Sequence, residues 1–159
     1  MKARTLILTL ALCFAGVAVC FADNPNIGNP NIGTWKLNEA KSKIPAGFMK
    51  NTTVVYEADG GSVKVTTDGP DKDGKPIHTE WTGKFDGKDY PLTGDPTSDS
   101  RSYKKIDDRT LAISNKKGSK VTTSGRIVVS ADGKSRTLQV TGTDSAGKKV
   151  SSTSAYDKQ

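Results

Sequence analysis

From residue 52 to the end of the chain, apolar and polar side chains alternate in short runs separated by tight-turn pairs. Ile77, Thr79, Trp81 and Phe85 share one parity, while His78, Glu80, Thr82 and Lys84 share the other. Val63 and Val65 alternate with Lys64 and Thr66, and Leu111 and Ile113 with Ala112 and Ser114. Val121, Ile127 and Val129 fall on one face of their run, as do Leu138, Val140 and Gly142. Alternation of this kind marks strands with one buried face. The runs are 52–58, 63–67, 77–85, 90–93, 100–106, 110–114, 120–130, 137–143 and 150–156. Asp59-Gly60-Gly61, Asp86-Gly87, Lys117-Gly118 and Asp132-Gly133 stand between runs, and such pairs suit two-residue hairpin turns. Helical periodicity never exceeds two turns. The best candidate is one turn over 38–43, capped by Asn38 and ended by Pro45 and Gly47.

Nine or ten antiparallel strands in a chain of consecutive hairpins must hide their edges, and closure does so most simply. The expected fold is therefore all-β, an antiparallel up-and-down β-barrel of 8–10 strands. A sandwich or jelly roll is the alternative, although the long return connections of those folds are missing.

The first 22 residues read differently. Lys2 and Arg4 precede an apolar run from Leu6 to Phe21, and Cys20-Phe21-Ala22 offers small residues at the −3 and −1 positions of a cleavage site. This is the pattern of a signal peptide cleaved after Ala22, which makes the protein secreted or periplasmic. The run is shorter than a spanning helix needs, so no integral membrane span is expected. Both cysteines, Cys13 and Cys20, lie inside this segment, leaving the exported chain without a disulfide to stabilise it. Residues 24–33 repeat Asn-Pro-Asn-Ile-Gly twice, and 23–31 reads as a turn-rich spacer ahead of a single domain over 32–159.

Composition narrows the function classes. The formal charge is +7, and setting aside Lys2 and Arg4 leaves +5. The lysines are scattered in pairs at strand ends, and eight aromatic residues outside the signal are too thinly spread for a nucleic-acid face. With one histidine and no cysteine beyond residue 22, cysteine nucleophiles and thiolate metal sites are excluded. His78 and Glu80 offer an acid–base pair or half a metal site, against the plainer reading of a solvent-facing polar strip. Asp71-Lys72-Asp73-Gly74 lacks the spacing of a calcium loop and reads as a hairpin turn. Residues 95–99 form a polar, turn-like link that has two equal readings, an overhang of a barrel mouth or only a long connection, and Asn51-Thr52-Thr53 has the glycosylation pattern. No catalytic residue, metal site or cofactor is assigned.

Ile32-Gly33-Thr34-Trp35-Lys36-Leu37 resembles the opening of lipocalins and fatty-acid-binding proteins, the calycin barrels, and the chain is read as a small secreted bacterial member. The resemblance implies that Trp35, set by Gly33, plugs the closed end of the barrel. The ending Tyr156-Asp157-Lys158 is similar to the Tyr-acidic-Lys finish of fatty-acid-binding proteins, but Ser154 stands where an Arg-x-Tyr carboxylate anchor would have its Arg. Lipocalins place an Arg over the motif Trp and follow the last strand with a helix. No helix follows here, and Arg126 or Arg136 would supply the Arg. Since the interior of a small barrel is lined at period two, Tyr56, Trp81, Tyr103, Arg126 and Tyr156 are the candidate lumen residues. The function read from the sequence is a monomeric barrel binding a small apolar ligand in its lumen. The alternatives are a cell-envelope interaction module whose rings fill the interior and leave no cavity, and, more remotely, an enzyme.

Overall fold

In the computed structural model, residues 26, 28–46, 48–71, 73–143 and 147–159 are described; the proposed signal peptide lies outside them. Ten strands follow one another: β1 (Gly33–Leu37), β2 (Thr53–Asp59), β3 (Ser62–Pro70), β4 (Pro76–Gly83), β5 (Tyr90–Thr93), β6 (Ser100–Lys105), β7 (Thr110–Lys117), β8 (Lys120–Val129), β9 (Ser135–Thr143) and β10 (Lys149–Lys158). Each pairs antiparallel with the next, and β1 pairs with both β2 and β10, so the sheet closes into an up-and-down barrel. Trp35 sits opposite Val54 on one side and Lys158 on the other, which makes β1 the closing stave. Full closure leaves no long unpaired edge for another chain to extend.

The expected alternation governs which residues face inward. Val63 and Val65 on β3, Thr79 and Trp81 on β4, Leu111 and Ile113 on β7, and Ile127 and Val129 on β8 are all buried. Val121 departs from its expected face. The β7–β8 register shifts between Asn115 and Lys116, so Thr122 is an extra residue with no partner across the ladder. Such a bulge reverses the facing of whatever lies beyond it, and Val121 emerges on the outside, half exposed at 50%.

The outward positions of β3 and β9 are polar, Lys64, Thr66 and Asp68 on the one and Thr137, Gln139 and Thr141 on the other, while β8 exposes Val121 and Val128. This is the reverse of the apolar outer band of a membrane barrel. Among the described residues, no helix is long and apolar enough to cross a membrane. The expected helical turn is a 3-10 turn over Glu39–Lys41, where the Asn38 side chain accepts from the Lys41 N–H at 3.2 Å.

Because the strands alternate in direction, the chain ends and the β2–β3, β4–β5, β6–β7 and β8–β9 connections gather at one end. The long β1–β2 link and the 94–99 connection sit at the other. Gly94 has φ +79, and any Cβ there would overlap the carbonyl oxygen of His78. The β5–β6 link therefore crosses β4 closely only because that position is glycine.

The first end is sealed. Trp35 is fully buried, and its indole Nε1 donates to the Asn31 carbonyl at 2.8 Å. Asn31, inside the stretch set apart as a spacer, is itself buried, and its Oδ1 has no hydrogen-bond partner. Asn26, of the first repeat copy, donates through Nδ2 to the carbonyls of Ser62 (2.8 Å) and Gly60 (3.2 Å) on the β2–β3 hairpin.

The barrel lumen as candidate binding site

Above the Trp35 plug the aromatic residues concentrate in the closed half. Trp81 stacks on Phe85 with centroids 6.4 Å apart and meets Tyr103 edge-on at 4.8 Å and Tyr90 at 5.7 Å. Tyr56 meets Tyr103 at 6.0 Å and Phe85 at 6.4 Å. Edge-to-face pairs of this kind contribute about 0.5–1.5 kcal/mol each beyond the area they bury. The rings thus form a connected floor, not a filled barrel.

Over that floor lies a cavity of about 740 Å³ that reaches the open end. Tyr56, Tyr103 and Tyr156 contribute to its base, while Val54, Ile113, Ile127, Leu138 and Val140 give it apolar walls. Thr67, Ser152 and Ser154 add hydroxyls. Leu138 and Val140 point inward yet are only partly buried, since they face this space and not another side chain. Phe48 and Met49 of the β1–β2 link stand at the mouth with Asp95 and Thr97. Of the two readings of the 95–99 link, the one at the opening fits, since Asp95 and Thr97 line the cavity there.

Three of the five expected lumen residues come together here. Trp81 does not line the cavity; it is buried in the ring cluster, where Nε1 donates to the Arg101 carbonyl at 2.8 Å. Arg126 stands exposed on the outer face, because its neighbour Ile127 takes the inward position and successive strand residues point opposite ways. The arginines that enter the lumen are Arg101 and Arg136, both nearly completely buried.

Arg136 sits among three rings, its guanidinium carbon 4.6 Å from the centroid of Trp35, 4.7 Å from Tyr56 and 5.1 Å from Tyr156. A desolvated cation over an aromatic face gains up to about 2 kcal/mol. Its Nε and Nη1 nevertheless have no hydrogen-bond acceptor. Arg101 is held differently: Nε donates to Asn115 Oδ1 at 2.6 Å, and the Asn115 amide nitrogen donates to Thr123 at 2.8 Å. Arg101 Nη1 also approaches the Tyr103 hydroxyl at 3.4 Å, and Tyr56 donates to that same oxygen at 3.3 Å. Burial pushes the Tyr56 and Tyr156 phenols well above their ordinary range, against the opposing pull of both arginine charges. The phenols stay neutral, and so keep a proton to donate.

The other sites marked in the sequence lie apart from the lumen. His78 is on the outer face, 2.6 Å from Asp68 and 3.5 Å from Glu80, and Lys64 meets Glu80 at 3.0 Å. This is an exposed ion-pair row across β3 and β4. Asp71 Oδ1 accepts from the backbone N–H groups of Asp73 and Lys75 at 2.8 Å, so that carboxylate shapes a turn. Asn51 lies at the cavity mouth. Among the described residues no cluster of His, Cys, Asp and Glu has the makings of a metal centre.

Fold and site together define a closed ten-stranded antiparallel barrel with a plugged base and a lined internal cavity. Compared with protein-family models and with curated proteins, the sequence matches none.

Proposed function

We propose that this protein is an exported, lipocalin-like barrel that holds a small apolar ligand in its lumen, acting as a binding protein and not an enzyme. The cavity is the observation that carries the reading. About 740 Å³ falls inside the roughly 300–1,000 Å³ range of small-molecule sites. Its walls set apolar side chains beside polar ones in comparable number, a combination that supplies both affinity and orientation. The stacking of Arg136 on Trp35 supports the calycin resemblance, which asks for an arginine over the motif tryptophan. Export rests on the N-terminal 22 residues, and the polar outer face agrees with a water-filled compartment.

Titration with the neutral probe N-phenyl-1-naphthylamine tests the reading. The wild-type protein is expected to bind it saturably at one site. Val140→Trp places an indole in the lumen and is expected to abolish binding while the far-UV circular dichroism stays unchanged. Absence of saturable binding to the wild-type protein would sink the proposal and leave the envelope-module reading in its place.

A further inference from the structure

Near the mouth, three polar side chains of the lumen form one row. Arg101, Asn115 and Thr123 stand directly opposite one another on β6, β7 and β8. Arg101 is buried and donates through Nε to Asn115, which donates in turn to Thr123, so each side chain holds the next. The row ends at β9, where Gly142 faces Thr123 and brings no side chain. Phe48 stands over that glycine, its Cζ 3.8 Å from the place a Cβ would occupy. Asp95, also buried, lines the upper lumen as well. The N–H and hydroxyl of Thr97 both donate to its Oδ1, each at 2.7 Å, which leaves Oδ2 as a further acceptor. Below the row the lining turns apolar, with Ile113, Ile127, Leu138 and Val140.

Burying polar side chains is costly unless their hydrogen bonds are met, and this row has capacity left over. An amide nitrogen carries two hydrogens and a hydroxyl one. Asn115 gives one hydrogen to Thr123, and Thr123 accepts it while keeping its own. The row therefore offers donors, and Asp95 beside it offers an acceptor. A hydroxyl both donates and accepts, so a group of hydroxyls suits this mixture. An ionic head does not, since an anion would meet the Asp95 carboxylate and a cation the Arg101 guanidinium. Neighbouring strands lie about 4.8 Å apart, so a row across three of them spans about 10 Å, more than one hydroxyl covers. The C–H face of a sugar ring suits the negative face of an aromatic ring, and Phe48 sets such a ring at the end of the row. Resting on the apolar-ligand reading, we propose that the ligand is a neutral amphiphile with a sugar head, of the alkyl-glycoside or glycolipid class. The head lies at the mouth on Asn115, Thr123 and Asp95, and the hydrocarbon runs down along Ile113, Leu138 and Val140 to the aromatic floor.

Displacement of N-phenyl-1-naphthylamine from the wild-type protein by dodecyl β-glucoside, dodecanol, dodecanoate and dodecylamine, all below micelle formation, tests this. Dodecyl glucoside is expected to displace the probe at least about tenfold more tightly than dodecanol, the worth of two or three neutral hydrogen bonds. Methyl glucoside, the head without the chain, should not displace it. Thr123→Val keeps the side-chain shape and removes the hydroxyl; it is expected to cut the ratio of glucoside to dodecanol affinity about fivefold. Asn115→Leu should bring that ratio to one, each variant being read against its own affinity for the probe. Should Asn115→Leu fail to fold, Thr123→Val and the wild-type series decide the matter. Equal displacement by dodecyl glucoside and dodecanol would overturn the head-group assignment and leave the apolar-ligand reading standing. Tighter binding of dodecanoate or dodecylamine would overturn the neutral head, and displacement by methyl glucoside as tight as by its dodecyl counterpart would overturn the amphiphile. No uptake of the probe or of any amphiphile would overturn both proposals.

Discussion

Replacing Trp35 tests whether the base of the barrel is held by one residue. The indole is fully buried and carries three kinds of contact. Truncating a buried Trp to Ala costs about 3–5 kcal/mol in lost transfer and cavity terms. The Asn31 carbonyl, 2.8 Å from the indole nitrogen, would lose its donor, a further cost of about 1–3 kcal/mol if it stays buried. Arg136 and Lys158 lie 4.6 Å and 5.1 Å from the ring centroid and would each lose a cation–π contact. These terms overlap, so about 5 kcal/mol is the expected loss for Trp35→Ala. Against a typical total of about 5–15 kcal/mol, that leaves the barrel marginal. Trp35→Phe keeps a ring under Arg136 and gives up mainly the hydrogen bond, for a loss of about 1–2 kcal/mol. Urea unfolding followed by far-UV circular dichroism measures both, avoiding the altered Trp fluorescence. If Trp35→Ala costs under about 2 kcal/mol with an unchanged m-value, the plug does not hold the base.

Gly94→Ala is expected to cost about 2–3 kcal/mol, since it adds a left-handed strain to an overlap with the His78 carbonyl; a melting temperature equal to wild type would refute the close crossing. Asn26→Ala should cost about 1 kcal/mol by releasing the β2–β3 hairpin carbonyls; a loss above about 3 kcal/mol in urea unfolding would mean that this residue does far more than those two bonds. The hydrogen bond from His78 to Asp68, and secondarily that to Glu80, raises the His78 pKa above its ordinary value near 6.5. A raised folded-state pKa stabilises fully below the unfolded value, and that contribution is lost as pH climbs through the raised one. Melting temperature should therefore fall slightly from pH 6 toward alkaline pH in wild type and stay flat in His78→Gln. The effect is small because the row is exposed and screened.

Most of the fold was legible because alternation and hairpin chemistry are local signals. Trp35 was legible too, since Gly33 and Trp35 stand together ahead of the first hairpin. The errors have identifiable causes. Trp81 shares the inward parity of β4, but parity says nothing about height along the barrel, and at its level neighbouring rings fill the space. Arg101 was hidden by the rule that charged residues face water, and Arg136 was named only as one of two candidates to lie over Trp35, not as a lumen residue. Parity carried the contrary signal: Arg136 alternates in step with Leu138 and Val140, and Arg101 with Tyr103. The same parity places Arg126 outside, opposite to Ile127. The bulge at Thr122 left no such trace, because it depends on how two strands pair and not on either alone.

The lean apolar content of the chain takes on a different meaning once the rings are placed. An eight-stranded barrel is about wide enough for side chains to fill, and width grows with strand number. Ten strands enclose more space than this chain has large side chains to occupy. Tyr56, Trp81 and Phe85 of the closed half pack around Tyr103, whereas Phe48 stands at the mouth. Between these levels the inward positions of β10 are Ser152 and Ser154. Small residues at those positions would be a poor solution for stability, since each leaves unfilled volume where an apolar side chain would have added dispersion contacts. An unpaired Arg136 beneath them is a second cost of the same kind. Two separate departures from good packing meet in one cavity, and they support the proposed binding role because an occupant would restore contacts that the chain itself leaves unmade.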